Sequence, residues 1–287
     1  MNAIELSHVD RVLGDFTIQD LDLRVPSGTI CGLVGENGAG KTTTIRLMMD
    51  ALRPDRGSIR VLGTDVSSPE FRAVKEDIGV VLDEAYFPEN LNACQVGKVL
   101  AKTYRRWDSK AYGQYLDRFS LPRKKQFQDF SRGMKMKLAI AAALSHDPKL
   151  LILDEATSGL DPIVRDEILE LFSEFTLEED HSILISSHIL SDLEKLCDHI
   201  AFLHQGRLLF CEEKDRLLEM YGIFVGTAQQ AEVLRPEAVA GRMESNYGGV
   251  RCLVRRAEVP PALELERPTV EDIILFLVKG AKQSCAR

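Results

Sequence analysis

The chain has 287 residues. At about 150 residues per domain, that suits two domains or one large domain with an appendage. Hydrophobic residues make up 45% and charged residues 28%, an ordinary globular balance that excludes disorder, collagen and low-complexity fibre. A formal net charge of −8 argues against a generic binder of DNA or RNA, whose phosphates call for a basic face. Apolar runs such as Ile273 to Val278 fall far short of the roughly 18 residues that a membrane span needs. The start, Met1-Asn2-Ala3-Ile4-Glu5, does not read as a secretion signal. Cysteines at 31, 94, 197, 211, 252 and 285 form no CxxC pair and no zinc-spaced cluster, so they read as free thiols of a reducing compartment.

In chain order, residues 4–35 predict short strands. Ile4, Leu6 and His8 alternate with polar residues, as do Leu21, Leu23 and Val25. Pro26-Ser27-Gly28 is a turn, and Thr29 to Val34 suits a strand buried on both faces. A glycine-rich loop and a helical stretch over residues 42–49 follow, then a turn at Pro54-Asp55-Arg56-Gly57 and a strand over Ser58 to Leu62. From about 86 to 145 the character is helical, ending in a helix over Ser131 to Ala143. Strand (149–153), helix (162–175), strand (182–185), helix (191–197) and strand (200–203) then alternate, with Gly206 turning into a strand over 207–210. The last segment, 226–287, has Gly248-Gly249 between two β-like runs, Pro260-Pro261, and a helix over Val270 to Lys279.

Gly35-Glu36-Asn37-Gly38-Ala39-Gly40-Lys41-Thr42 matches GxxxxGK[ST] between a predicted buried strand and a helix. Glycines let backbone N–H groups converge on an anion, and the helix N-terminus adds its dipole. Lys41 supplies a point charge for the β- and γ-phosphates, and the Thr42 hydroxyl suits Mg²⁺. Leu150-Leu151-Ile152-Leu153-Asp154-Glu155 puts two carboxylates at a sheet's C-terminal edge, where α/β ligands bind. Alone, such a run reads as a simple strand end. Paired with the phosphate loop, Asp154 suits Mg²⁺ and Glu155 suits a general base on the attacking water.

Three more motifs follow a fixed order. Phe130-Ser131-Arg132-Gly133-Met134-Lys135 precedes Asp154, Ser158-Gly159-Leu160-Asp161 comes just after Glu155, and Ser186-Ser187-His188 ends a later strand. Phosphate loop, signature, Walker B, D-loop and switch histidine in this order resemble the ATP-binding subunit of an ABC transporter over residues 4–225. The signature form, and a tail with Pro268-Thr269-Val270-Glu271-Asp272-Ile273, resemble the ABC-2 type branch, mostly exporters. The resemblance implies an α/β fold: a P-loop NTPase core of ABC ATPase type with an N-terminal antiparallel β-subdomain, a helical insertion at about 86–145 and a small C-terminal α/β appendage. The domains are then 1–225 and 226–287.

It also implies roles. Lys41, Glu155 and His188 carry hydrolysis of ATP. Residues Gly35 to Thr42 with Thr43 hold the phosphates, Ser131 and Gly133 reach the γ-phosphate held by the opposite subunit, and Asp161 joins the two subunits. Thr42 and Asp154 serve Mg²⁺. Asp83 stands where the family has Gln, and a shorter oxygen ligand and a solvated loop carboxylate stay open for it. Gln95 lies too far along to substitute. Leu13 stands where the family stacks an aromatic on adenine, with Phe16 nearby as a substitute ring. Arg132 and Met134 replace the more usual Gly and Gln of the signature.

Outside these motifs, Arg105-Arg106-Trp107 and Arg123-Lys124-Lys125 read as solvated helix faces. Tyr86-Phe87 reads as loop packing or as a permease contact. The implied partners are a separate transmembrane permease and a second ATPase subunit, identical or related, with no nucleic acid. The implied location is cytoplasmic, on the inner face of the membrane through the permease. Two other readings compete: a soluble ABC-type switch on ribosomes or DNA, which usually carries two cassettes in one chain, and a small-molecule kinase, which leaves the signature and His188 unexplained.

Overall fold

The computed structural model describes residues 1–244 and 249–284, with side chains at the C-terminal end described to residue 279. Gly248 and Cys285 lie outside the described residues. Two compact units result, Met1–Cys211 and a second from Glu212 onward.

The first unit opens with β1 (Asn2–Leu13) and β2 (Phe16–Pro26), then β3 (Ile30–Val34), α1 (Lys41–Met48), β4 (Arg56–Val61) and β5 (Thr64–Asp65). The order β2-β1-β4-β5 is antiparallel throughout. β1 runs on past the short predicted strand because it absorbs register shifts between Leu6 and Val9 and between Val9 and Arg11. Such bulges break the sequence alternation without ending the pairing.

After α2 (Phe71–Val74) comes β6 (Ile78–Val81), and then the insertion: α3 (Ala93–Thr103), α4 (Ser109–Arg118) and α5 (Arg132–Leu144). Side chains of Asn92, Asp108 and Ser131 cap these three helices. Gln95 completes a capping box with Asn92, which gives it a local structural task. The basic runs are likewise structural. Arg106 pairs with Asp77 at 2.5 Å and Arg123 with Asp117 at 2.9 Å.

The sheet resumes with β7 (Leu150–Asp154), α6 (Pro162–Phe175), β8 (Ser182–Ser187), α7 (Leu190–Leu196), β9 (His199–His204) and β10 (Arg207–Glu213). Its order is β10-β9-β3-β8-β7-β6, parallel from β9 to β6. β3 and β7 are wholly buried, as apolar runs in a parallel sheet should be. Register fixes the functional edge: Val34 lies opposite Ser187, and Asp154 opposite Ser186. The C-terminal ends of β3, β8 and β7 therefore finish at one level, where ligands of α/β sheets bind.

The second unit contains α8 (Lys214–Met220), β11 (Tyr221–Thr227), α9 (Ala228–Ala231), β12 (Val239–Glu244), β13 (Gly249–Arg255) and α10 (Val270–Ser284). Its sheet is antiparallel in the order β11-β13-β12. The second unit begins at Glu212, and β11, which spans the boundary expected at 225 and 226, pairs along its whole length with β13. Thr269 and Asp272 cap α10 reciprocally, at 3.0 and 3.1 Å. Val270, Ile273 and Phe276 of that helix are fully buried. Among the described residues no helix is long and apolar enough to cross a membrane. Among the described residues, cysteines 31, 94, 197, 211 and 252 take part in no disulfide.

Candidate functional site

The loop from Gly35 to Thr42 leaves the C-terminal end of β3 and enters α1. Gly40 is the N-cap of α1 with φ 112°, a conformation that side chains avoid. A Cβ there would also lie 2.8 Å from Cζ of Phe16 and 2.6 Å from Cδ1 of Ile18. Glu36, Asn37 and Gly38 at the loop crest are exposed, while Ala39 and Gly40 are buried against the sheet. Lys41 is only 7% exposed, and its Nζ folds back to donate to the carbonyls of Gly35 (2.7 Å) and Glu36 (3.4 Å). Buried this way, the ammonium needs anionic company. Glu155 Oε1 supplies it at 3.4 Å. Thr43 is half-buried in the first turn of α1.

The two adjacent carboxylates are held differently. Asp154 is 1% exposed. It accepts Thr42 Oγ1 at 2.7 Å on Oδ2 and Ser186 Oγ at 2.5 Å on Oδ1. Glu155 has φ 52°, in the left-handed region that non-glycine residues rarely occupy. Its N–H donates to both the carbonyl (3.1 Å) and the hydroxyl (3.2 Å) of Ser186, which offsets the strain. The turn swings the Glu155 side chain between Lys41 and His188. His188 Nδ1 lies 2.6 Å from Glu155 Oε2, and the ring is half exposed.

The expected residues thus converge in one cluster: Lys41, Thr42, Asp154, Glu155 and His188. Ser186, which the sequence marks only as part of a motif, ties Asp154 to Glu155. Its position, last but one in a buried strand ahead of His188, is the signal that could have found it. Thr42 Oγ1 and the Asp154 carboxylate are hard oxygen donors within 2.7 Å of each other, a donor set that fits Mg²⁺.

Asp83 is not brought into this cluster. Its exposed carboxylate accepts the Glu84 N–H at 2.9 Å, and among the described residues no hydrogen bond joins it to Thr42 or Asp154. Ser131 and Asp161 are exposed and cap α5 and α6, accepting N–H groups of Met134 (3.3 Å) and Val164 (3.1 Å). Gly133 lies in the first turn of α5. None of these three contacts the Lys41 cluster through a hydrogen bond among the described residues.

A family model described as ABC transporter matches residues 18–158. The bacitracin transport ATP-binding protein BcrA of Enterococcus faecalis is 36% identical over 210 residues, covering 72% of this chain and 68% of the relative. The chain belongs to the ATP-binding subunits of ABC transporters. The daunorubicin resistance ATP-binding protein DrrA3 of Streptomyces coeruleorubidus is 31% identical and covers 96% of this chain and 95% of its own length. That alignment takes in the second unit as well as the first. A solved ATP-binding subunit of an ABC transporter superposes with TM-score 0.68 at 28% identity, over 75% of this chain and 91% of the other. This ABC subunit binds ATP and is an ATPase. The fold is the expected one, with the antiparallel subdomain, the helical insertion and the C-terminal unit in place. Relatives named for transport and resistance do not favour a switch on ribosomes or DNA.

Proposed function

We propose that this ATPase subunit powers export through a separate membrane permease. It lies on the cytoplasmic face of the membrane and closes against a second ATPase subunit when ATP binds. The observation that carries the chemistry is the Glu155 carboxylate, held between Lys41 and His188 beside a fully satisfied Asp154. Residues Gly35 to Thr43 hold the phosphates by backbone N–H groups, the dipole of α1 and the Lys41 charge. Thr42 and Asp154 would hold Mg²⁺, which would supply positive charge against the phosphates. Glu155 takes a proton from the attacking water, and His188 orients that carboxylate through its 2.6 Å contact. Catalysis is positioning and charge neutralisation, with no covalent intermediate.

Ser131 and Asp161 are exposed and Gly133 is partly exposed, as residues reserved for a second subunit would be. Their exposure supports the reading that they complete the ATP site of the partner. A cavity of about 210 Å³ between the end of β6 and helices α3 and α5 is lined by Leu82, Tyr86, Phe87, Leu100 and Ala139. Tyr86 is 73% exposed at its rim, which supports this groove as the permease-facing surface. The relatives' names, bacitracin transport and daunorubicin resistance, support the reading of export.

Glu155→Gln tests the chemical core. The amide keeps the shape and removes the base, so turnover should fall by about 10²- to 10⁴-fold while ATP still binds. The variant should elute as an ATP-dependent dimer on a sizing column. Turnover near wild type would remove Glu155 from the role of base.

A further inference from the structure

Arg132 stands where the family more often has glycine, and its packing gives a reason for the exchange. A methyl group built on Gly159 would lie 2.8 Å from Arg132 Nη1, 3.0 Å from Cζ and 3.3 Å from Nε. One edge of the guanidinium therefore rests on the bare α-carbon of Gly159. That glycine has φ 69° and lies in the loop between Glu155 and Asp161. The neighbouring pair is reversed. Leu160, 6% exposed, has its Cδ2 3.8 Å from where a Cβ on Gly133 would be. Each segment thus offers a glycine to a large side chain of the other. The Arg132 charge finds no carboxylate partner among the described residues. As the first residue of α5, it also opposes the helix dipole. What the side chain contributes here is shape.

We propose that Arg132 is a positioning residue for hydrolysis. Seated on Gly159, it fixes the loop over residues 156–160, which starts at Glu155 and ends at the Asp161 cap of α6. The start of α5 is thereby tied to Glu155 within one chain. A shift of the signature segment then carries the loop with it through two reciprocal contacts, Arg132 on Gly159 and Leu160 on Gly133. The inference rests on Glu155 being the base, which Glu155→Gln tests separately.

A double-mutant cycle on the full chain reads it: wild type, Arg132→Gly, Gly159→Ala and the double variant, each with its melting temperature measured. Alanine at 159 carries a cost from φ 69° in either background, and the cycle cancels it. The methyl clash exists only where Arg132 is present. Arg132→Gly should lower kcat about tenfold and leave KM for ATP within about twofold. Gly159→Ala should lower kcat about tenfold in the wild type and about threefold or less in the Arg132→Gly background. Arg132→Met keeps a side chain of similar reach without the charge, and it should retain most of the wild-type kcat. Arg132→Ala, which also removes the reach but keeps helix propensity, replaces Arg132→Gly in the cycle if that variant does not fold. Additive effects across the cycle, or a Met variant as slow as the Gly variant, would overturn the proposal.

Discussion

The sheet edge and the start of α5 handle polar groups in opposite ways. At the sheet edge, Asp154 is buried with two hydroxyl donors, Lys41 is buried with two carbonyls and Glu155, and Glu155 touches His188. Each charge is answered within the chain. At the starts of α5 and α6, the exposed side chains of Ser131 and Asp161 cap their helices by accepting the N–H groups of Met134 and Val164. Groups that would be costly to bury unpaired are thus pre-organised in the first region, whereas the second keeps its chemistry on the surface. On the proposed reading, one chain carries half of a site in finished form and displays the other half outward. This contrast supports a dimer with shared sites.

Three experiments sharpen that contrast. Ser186→Ala removes a donor from Asp154 and an acceptor from the Glu155 N–H in a fully buried place. The loss should be about 1–3 kcal/mol of stability, read from the urea midpoint, together with slower hydrolysis. An unchanged midpoint would mean that the network at the sheet edge is slack. At the base-binding end, Leu13 offers no π-face, and the Phe16 ring is packed on Gly40. Most affinity should therefore come from the phosphates, and GTP should compete with ATP within about tenfold, or 1.4 kcal/mol. A hundredfold preference for ATP would show that Phe16 turns to stack on the base.

The smallest effect lies in the insertion, away from both halves. His146 is buried against Tyr104, with ring centroids 4.1 Å apart, and burial holds its pKa below the ordinary histidine value. The folded protein thus prefers the neutral ring, and the unfolded chain binds a proton more readily. The stability this contributes is present above about pH 6.5 and is lost as pH falls below it. Wild type should lose melting temperature between pH 7.5 and 5.5, and His146→Gln should lose less. Equal slopes would assign the acid sensitivity to other groups.

Much of this was legible in the residues. The phosphate loop, the Asp154-Glu155 pair and the helix over 162–175 are local patterns, and local patterns carry their own geometry. Ser186 was not legible as a bridge, because its bond to Asp154 depends on two strands far apart in sequence meeting in register. Arg132 on Gly159 is hidden for the same reason. The β1 bulges disguised a long strand as a short one, and β11, which crosses residues 225 and 226, finds its partner β13 later in the chain. Long-range pairing, rather than residue type, is what the sequence left unstated.

The shared site itself is tested most directly by mixing two inactive chains. Lys41→Ala removes the phosphate charge from the finished half, and Gly133→Asp places a carboxylate against the γ-phosphate from the displayed half. Each variant alone should be inactive at both sites of a symmetric dimer. In a mixed dimer one site collects both defects, and the other joins an intact Lys41 to an intact Ser131 and Gly133. Random assortment makes about half the dimers mixed, so about a quarter of wild-type ATPase activity should return if the sites act independently. The measurement is the ATPase rate of the mixture after subunit exchange, beside each parent and the wild type. A rate above both parents is the predicted result. A rate no higher than the parents, with wild type active under the same conditions, would contradict a homodimer with shared sites.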